Sequence, residues 1–122
     1  MSIKNCTDLP QSKKLIELGL DVNTSDMCYP RGAFDPDWDK EPVCHSCGGI
    51  GLALPAWSLA ALLELMPEEL PEDYFLTIWK EKNEFGCCHE NCNGDSFHSF
   101  FGKTALDAAF EMVCWLLKNK LI

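Results

Sequence analysis

Two short cysteine clusters are the part of this sequence best suited to chemistry. The first, residues 44–51, holds two cysteines separated by two residues and followed by three glycines. The second, residues 87–94, holds three cysteines, a histidine and a glycine. Thiolates and imidazoles at such spacing are the ligands that zinc takes in tetrahedral sites. The sequence therefore predicts one structural zinc ion. The predicted ligands are Cys44, Cys47, Cys92 and either Cys88 or His89.

The first cluster follows the pattern C-x-x-C-x-G-x-G over its eight residues. It resembles the zinc-binding repeats of the Hsp40 cochaperones, in which two such knuckles share one metal ion. The second cluster departs from that pattern, since it reads H-x-x-C-x-G from His89 and C-x-x-x-C-x-G from Cys88. This departure leaves open whether Cys87, Cys88 or His89 would complete the site. A closed site with four protein ligands is structural, so we expect it to tie the loop before the second helix to a hairpin.

Other interpretations of the cysteines stay open. The first 14 residues lack the apolar stretch of a secretory signal, so the eight cysteines are expected to be reduced, with or without metal. A redox function of Cys44 and Cys47 is disfavoured because the glycines that follow are poor helix formers. The enzymatic alternative is a small enzyme that uses a cysteine and a histidine, either a hydrolase or a thiol redox enzyme. No spacing singles out a catalytic residue, and we therefore favour a non-enzymatic protein.

An acidic segment with a tryptophan, residues 35–41, is the second candidate site. Its Asp-x-Asp-x-Asp spacing is typical of the start of a calcium loop, but Lys40 and Ser46 stand where such a loop needs Gly and Glu. We therefore expect a solvated acidic loop. Exposed tryptophans can anchor an interface, and strand alternation places a further tryptophan on an outer face. The predicted partner-binding residues are Trp38, Asp35, Asp37, Asp39 and Trp79.

The charge of the chain restricts the choice of partner. The formal net charge is −9, with 19 acidic and 10 basic residues. Such a chain repels phosphate backbones and acidic membrane surfaces, whereas a basic protein surface attracts it. The longest apolar window, residues 50–66, is interrupted by polar residues and is shorter than the ~20 residues of a spanning helix. We expect a soluble cytoplasmic protein that binds a protein partner, with no nucleic-acid or membrane partner. The sequence does not predict the oligomeric state.

Periodicity and turn residues predict the elements that position these residues. Helices are predicted over residues 8–17 and 55–66, and a third begins after its N-cap, Thr104. Apolar residues at helical spacing predict a buried stripe on the second and third helices. These are Leu59, Leu62, Leu63 and Met66 on the second helix, and Leu106, Ala109, Phe110, Val113 and Leu117 on the third.

Strands are predicted over residues 74–80, 85–89 and 96–101. Alternation along the first of them places Phe75, Thr77 and Trp79 on one face. Prolines and a glycine favour an irregular chain over residues 21–54. The prediction is a single α+β domain over residues 1–122, with an antiparallel meander of about three strands packed against two or three helices. A long irregular loop precedes the second helix.

Two helical segments carry a resemblance to a known group of proteins. Residues 55–67 contain the pattern P-x-W-S-L-x-x-L-L, and residues 107–117 contain D-A-x-x-x-M-V-x-W-L-L. Both resemble small uncharacterised proteins of bacterial mobile elements and prophages, and residues 12–27 resemble the opening of the same group. The matching residues are core positions, so the resemblance implies a fold and a context. That context is an accessory protein of a phage or integrated element, and the cysteine clusters are not part of its pattern.

Overall fold

The computed structural model describes residues 4–30, 43–44, 53–67 and 74–122. Its contacts divide the chain into two compact units, Met1–Ala61 and Leu62–Ile122. The fold is α+β, as predicted, and the expectation of a single domain stays a prediction. The helices are α1 (Leu9–Glu17), α2 (Leu59–Leu65) and α3 (Ala105–Lys118). The strands are β1 (Met27–Pro30), β2 (Val43–Cys44), β3 (Ala53–Ala56), β4 (Phe75–Lys80), β5 (Phe85–Glu90) and β6 (Ser96–Gly102).

Helix α1 begins at a reciprocal cap. The Asp8 carboxylate accepts a hydrogen bond from the Gln11 backbone N–H at 2.8 Å, and the Gln11 side chain accepts one from the Asp8 N–H at 3.0 Å. The two bonds satisfy donors that would otherwise have no partner at the helix start. Gly19 follows the helix at φ +96°, a left-handed conformation that glycine adopts without steric cost. The predicted start and stop of this helix are confirmed.

Three short strands lie within and just after the segment that was expected to be irregular. Strand β1 is central and pairs antiparallel with β2 and β3. The expectation of an irregular chain throughout residues 21–54 is therefore corrected. Pro55 lies opposite Cys28, and β3 tolerates this proline because it is an edge strand whose outward N–H groups need no ladder partner. Strands of two and four residues are too short to show alternation in the sequence.

Thr7 joins the start of the chain to the end of β3 through a buried hydrogen-bond network. The Thr7 N–H donates to the Trp57 carbonyl at 2.9 Å, and the Trp57 N–H donates to the Thr7 hydroxyl at 3.1 Å. The Thr7 and Ser12 hydroxyls are hydrogen-bonded at 2.8 Å, and the Tyr29 hydroxyl donates to the Thr7 carbonyl at 2.8 Å. Thr7, Ser12 and Trp57 are fully buried. Because a buried polar group without a partner is costly, this network holds the first unit together.

Helix α2 is shorter than predicted because residues 55–56 pair with β1 instead of forming the first turn. The Ser58 hydroxyl accepts a hydrogen bond from the Ala61 N–H at 3.2 Å and so caps the helix. Asp26 in turn accepts hydrogen bonds from the Ser58 N–H, at 2.8 Å, and from the Ser58 hydroxyl. The helix ends shortly before Pro67, as predicted. Leu62 is fully buried, which confirms part of the predicted apolar stripe.

The second unit contains the predicted antiparallel meander, in the order β4–β5–β6. Thr77 pairs with Cys88, and Gly86 lies between Trp79 on β4 and Phe101 on β6. Directly paired residues share one face of a sheet, and side chains alternate along each strand. One face, which we call the α3-distal face, is thereby defined. Its residues are Phe75, Thr77, Trp79, Gly86, Cys88, Glu90, Ser96, Ser99 and Phe101.

Helix α3 packs on the other face of this sheet. The Thr104 hydroxyl accepts a hydrogen bond from the Asp107 N–H at 3.0 Å, which confirms the predicted cap. The Trp115 ring lies 6.2 Å from the ring of Phe100, a β6 residue that points away from the α3-distal face. Most of the predicted apolar stripe is buried. Helix α3 has 14 residues, and none of the described helices is long and apolar enough to cross a bilayer.

Candidate functional site

The second cysteine cluster lies on β5 and on the turn that follows it. Cys87 and His89 point toward α3, whereas Cys88 lies on the α3-distal face, because successive side chains of a strand alternate. Cys92 lies in the turn and is exposed. One metal ion cannot bind both Cys88 and His89 from opposite faces of the strand. The two alternatives for the fourth zinc ligand therefore exclude each other.

Cys87 and His89 are fully buried. Burial raises the pKa of the Cys87 thiol to about 12, and the neighbouring Cys88 adds to this shift. Burial lowers the pKa of His89, and the nearby backbone carbonyl of Pro67 opposes that effect. Neither ring nitrogen of His89 makes a well-formed hydrogen bond to a described residue. Both side chains are therefore neutral at pH 7 and inaccessible to a substrate, which disfavours them as a catalytic pair.

The predicted zinc site stays a prediction. In the part of the chain that the structure describes, no three His, Cys, Asp or Glu side chains are grouped as a metal site requires. Cys47 and the side chain of Cys44, which are two of the predicted ligands, lie outside that part. Most of the predicted partner-binding residues also lie outside it, namely Trp38, Asp35, Asp37 and Asp39.

A cavity of about 410 Å³ opens on the α3-distal face. Pockets that hold small ligands have volumes of about 300–1,000 Å³, so this cavity is large enough for one. All three strands and the β5–β6 turn contribute to its wall. The described lining residues are Thr77, Trp79, Cys88, Glu90, Gly94, Ser96 and Ser99. Trp79 is thus the predicted partner-binding residue that the structure places at a candidate site.

Glu90 supplies the charge of this cavity. It is the only Asp, Glu, Lys, Arg or His among the described lining residues. The Thr77 hydroxyl donates a hydrogen bond to Glu90 Oε1 at 3.0 Å, and Ser96 lies directly opposite Glu90 on β6. The other polar side chains of the wall are hydroxyls and a thiol, which can also accept hydrogen bonds. The cavity is therefore suited to a cation that donates several hydrogen bonds.

Cys88 is a protonated thiol within this wall. Burial raises its pKa, the charge of Glu90 raises it further, and a hydrogen bond with Ser99 opposes these effects. Because the thiolate is the reactive form of cysteine, Cys88 is poorly suited to act as a nucleophile.

A β-bulge brings Ser99 to the cavity. Pairing moves from Cys87 with Phe100 to His89 with Phe97, so β6 has one more residue than β5 between these pairs. His98 takes up the irregularity at φ +46°, and its ring contacts the Trp115 ring with centroids 4.2 Å apart. Ser96 and Ser99 are three residues apart and share a face only because of this bulge.

Three contacts hold the Trp79 indole at the cavity wall. A Cβ atom built on Gly86 would lie 2.2 Å from Trp79 Cζ2, so the ring rests directly on the glycine backbone. The Phe101 ring meets the indole edge-on, with centroids 5.7 Å apart and an interplanar angle of 86°. The indole N–H donates a hydrogen bond to the Glu81 carboxylate at 3.0 Å. The aromatic wall is therefore fixed by contacts with β5, with β6 and with the residue that follows β4.

Sequence reasoning placed Thr77 and Trp79 on one strand face but missed Glu90 and Ser99. Glu90 follows the last residue of the strand predicted over residues 85–89, and alternation from Cys88 would have reached it in a strand one residue longer. No pattern in the sequence indicated Ser99, since its orientation depends on the bulge.

Comparison of the chain with protein-family models, with curated proteins and with solved structures finds no match. The resemblance of residues 55–67 and 107–117 to small proteins of mobile elements accordingly stays a prediction. The chemistry that the described residues bring together is that of the α3-distal face: an aromatic wall, one carboxylate and several hydroxyl groups.

Proposed function

We propose that this chain is a non-enzymatic protein-interaction module that binds a basic protein surface through its α3-distal face. The observation that carries the proposal is a group of aromatic side chains on this face. Phe75 and Phe101 are 46% and 45% exposed, and Phe101 contacts Trp79. Phe75 and Trp79 are four residues apart on β4, a distance of about 14 Å along the strand. Aromatic side chains that share one sheet face at this spacing can anchor an interface.

Charge supports a basic partner. The chain has a net charge of −9, and Glu90, which lies directly opposite Phe75 on β5, lines the cavity together with Trp79. Complementary charge accelerates encounter and disfavours acidic partners. An interface built in this way weakens as salt is added, because salt screens the exposed charges.

The alternative of a Cys/His-dependent enzyme has less support. Burial raises the pKa of Cys6, Cys87 and Cys88, so these thiols stay protonated at neutral pH. His89 follows Cys87 and Cys88 in the sequence, and it is fully buried and therefore inaccessible to a substrate. A nucleophilic cysteine needs the opposite environment, partly exposed and electropositive.

The sequence resemblance supplies a context for the proposal. As an accessory protein of a phage or mobile element, the chain would act in the bacterial cytoplasm on a host protein or a protein encoded by the same element. One structural zinc ion bound by the cysteine clusters belongs to the same proposal and would stabilise the module without taking part in chemistry.

Affinity capture from bacterial cytosol tests this proposal. The immobilised chain is compared with the double variant Phe75→Ser and Phe101→Ser at about 50 mM and about 500 mM salt. The control is Val22→Ser, a change at a side chain that is 41% exposed and lies outside the second unit. We expect the native chain and the control to retain the same protein at low salt, and the double variant to lose it.

Two further results decide the outcome. Circular dichroism of both variants shows whether the fold is kept, and size-exclusion chromatography of the native chain shows whether a second copy occupies the face instead. Equal retention by the native chain and a folded double variant would rule out the α3-distal face. Failure to retain any protein at low salt would contradict the proposal as a whole.

A further inference from the structure

We infer that the cavity at Trp79 and Glu90 is a binding site for the guanidinium group of an arginine side chain. This inference rests on the proposed function, because it names the chemical group of the partner that the α3-distal face would bind. Of the alternatives left open for the zinc site, it is compatible with those that leave Cys88 unligated, because a zinc ion on Cys88 would bring a second cation to the cavity wall. The inference follows from the burial and the hydrogen-bond partners of Glu90, from the acceptors in the cavity wall and from the flat Trp79 indole in the same wall.

Glu90 is a half-buried carboxylate whose one hydrogen bond among the described residues comes from the Thr77 hydroxyl. No ion pair to it is formed within the described part of the chain. Removing a carboxylate from water is costly unless a donor or a cation compensates, so a cationic ligand would gain more here than at a fully exposed site. The Trp79 indole N–H does not compensate Glu90, since it is bonded to Glu81.

The remaining polar groups of the wall match the donors of a guanidinium group. Guanidinium has five N–H donors and no acceptor. Thr77 already donates its hydroxyl hydrogen to Glu90, so its oxygen is left to accept. Ser96 and Ser99 add two further hydroxyl oxygens on the same face. A single ammonium group has three donors around one point and would use this spread of acceptors less fully.

The indole wall favours a planar cation. Arginine stacks on aromatic faces, and tryptophan is the aromatic side chain that attracts cations most strongly. Gly86, Phe101 and Glu81 hold the Trp79 ring, so little conformational freedom is left to lose when a ligand binds. An anion is disfavoured because Glu90 is the only charged group among the described lining residues.

An NMR titration with a minimal ligand tests the inference on the whole chain. The probe is N-acetyl-arginine N-methylamide, and the control ligand is its citrulline counterpart, which has the same shape without the charge. The reporter is the indole N–H resonance of Trp79, assigned by its disappearance in Trp79→Phe. We expect saturable binding of the arginine probe, with binding of the citrulline and lysine counterparts at least about tenfold weaker, a difference of about 1.4 kcal/mol.

A matched pair of variants locates the site. Glu90→Gln removes the charge at nearly constant shape and should weaken binding of the arginine probe at least about tenfold. Glu111→Gln removes one charge from the exposed side of α3, on the other side of the sheet, and should leave binding unchanged. The two variants have the same net charge, so a difference between them cannot come from overall charge.

Several outcomes would overturn the inference. The first is no saturable shift of the Trp79 resonance with the arginine probe. The others are equal binding of the citrulline or lysine counterpart, and unchanged binding in Glu90→Gln. If the probe fails while the Phe75 and Phe101 variant still loses the captured partner, the arginine site is wrong and the proposed interaction face stands. If that variant also keeps the partner, both fail.

Discussion

Replacing Gly86 with alanine tests how the Trp79 indole is held at the cavity. The new Cβ atom would lie 2.2 Å from Trp79 Cζ2 and 2.3 Å from Cε2. Non-bonded carbon atoms normally approach to about 3.5 Å, so the ring has to move by about 1.3 Å. That movement disturbs the edge-on contact with Phe101 and the hydrogen bond to Glu81.

Three effects set the size of the change. Displacing a packed side chain costs about 1–3 kcal/mol, and losing the aromatic contact costs about 0.5–1.5 kcal/mol. Gly86 does not lie in the left-handed region, so alanine can adopt its backbone conformation. Alanine also lowers the conformational entropy of the unfolded chain, and this effect stabilises the folded protein by about 0.4–1 kcal/mol. We expect Gly86→Ala to lower the free energy of unfolding by about 1–3 kcal/mol.

Urea denaturation of a double-mutant cycle measures this effect. The set is the native chain, Gly86→Ala, Trp79→Ala and the double variant, followed by both fluorescence and circular dichroism. With the indole removed, Gly86→Ala should be neutral or stabilising by up to about 1 kcal/mol. The coupling energy between the two positions should therefore exceed about 1 kcal/mol. The same cost of Gly86→Ala in both backgrounds would refute the close packing of Trp79 on Gly86.

Three further predictions concern the buried networks and the cysteine clusters. Thr7→Val should lower the free energy of unfolding by about 1–3 kcal/mol, since the buried Trp57 N–H loses its partner, whereas Thr7→Ser should cost about 1 kcal/mol. A urea midpoint of Thr7→Val equal to or higher than that of Thr7→Ser would contradict this. His89→Leu should be neutral or stabilising by about 1 kcal/mol in metal-free protein, because it removes two buried nitrogens without well-formed hydrogen bonds. A loss of more than about 2 kcal/mol would show that the imidazole has a partner. Elemental analysis of reduced, tag-free protein should find about one equivalent of zinc, and less than about a tenth would end the zinc prediction.

The elements that local patterns specify could be predicted from the sequence. Helix α3 has a cap at Thr104 and an apolar stripe, and the structure confirms both. The three strands of the second sheet were predicted because β4 alternates clearly and turn residues separate β5 from its neighbours. Each of these signals lies within a few consecutive residues, where side-chain periodicity and backbone restrictions act directly.

The elements and site residues that were missed depend on pairing between distant parts of the chain. Strands β1 and β3 pair with each other, and each is too short for its alternation to be recognised in the sequence. The cavity likewise needs the register that sets Cys88 opposite Thr77 and the bulge that turns Ser99 to the same face. Trp79 was singled out because a tryptophan on an outer strand position is unusual. Glu90 was missed because only the register of the three strands shows that its carboxylate lies on the same face as Trp79.

Amide hydrogen exchange of the chain with its captured partner is the most direct test of the central claim. If the partner binds the α3-distal face, exchange should slow in β4 and β6, over Phe75–Lys80 and Ser96–Gly102, and the Trp79 indole N–H should be protected. The exposed side of α3, including the amides around Glu111, should exchange at the same rate with and without the partner. Protection of that side of α3, or of the first unit alone, would contradict the account.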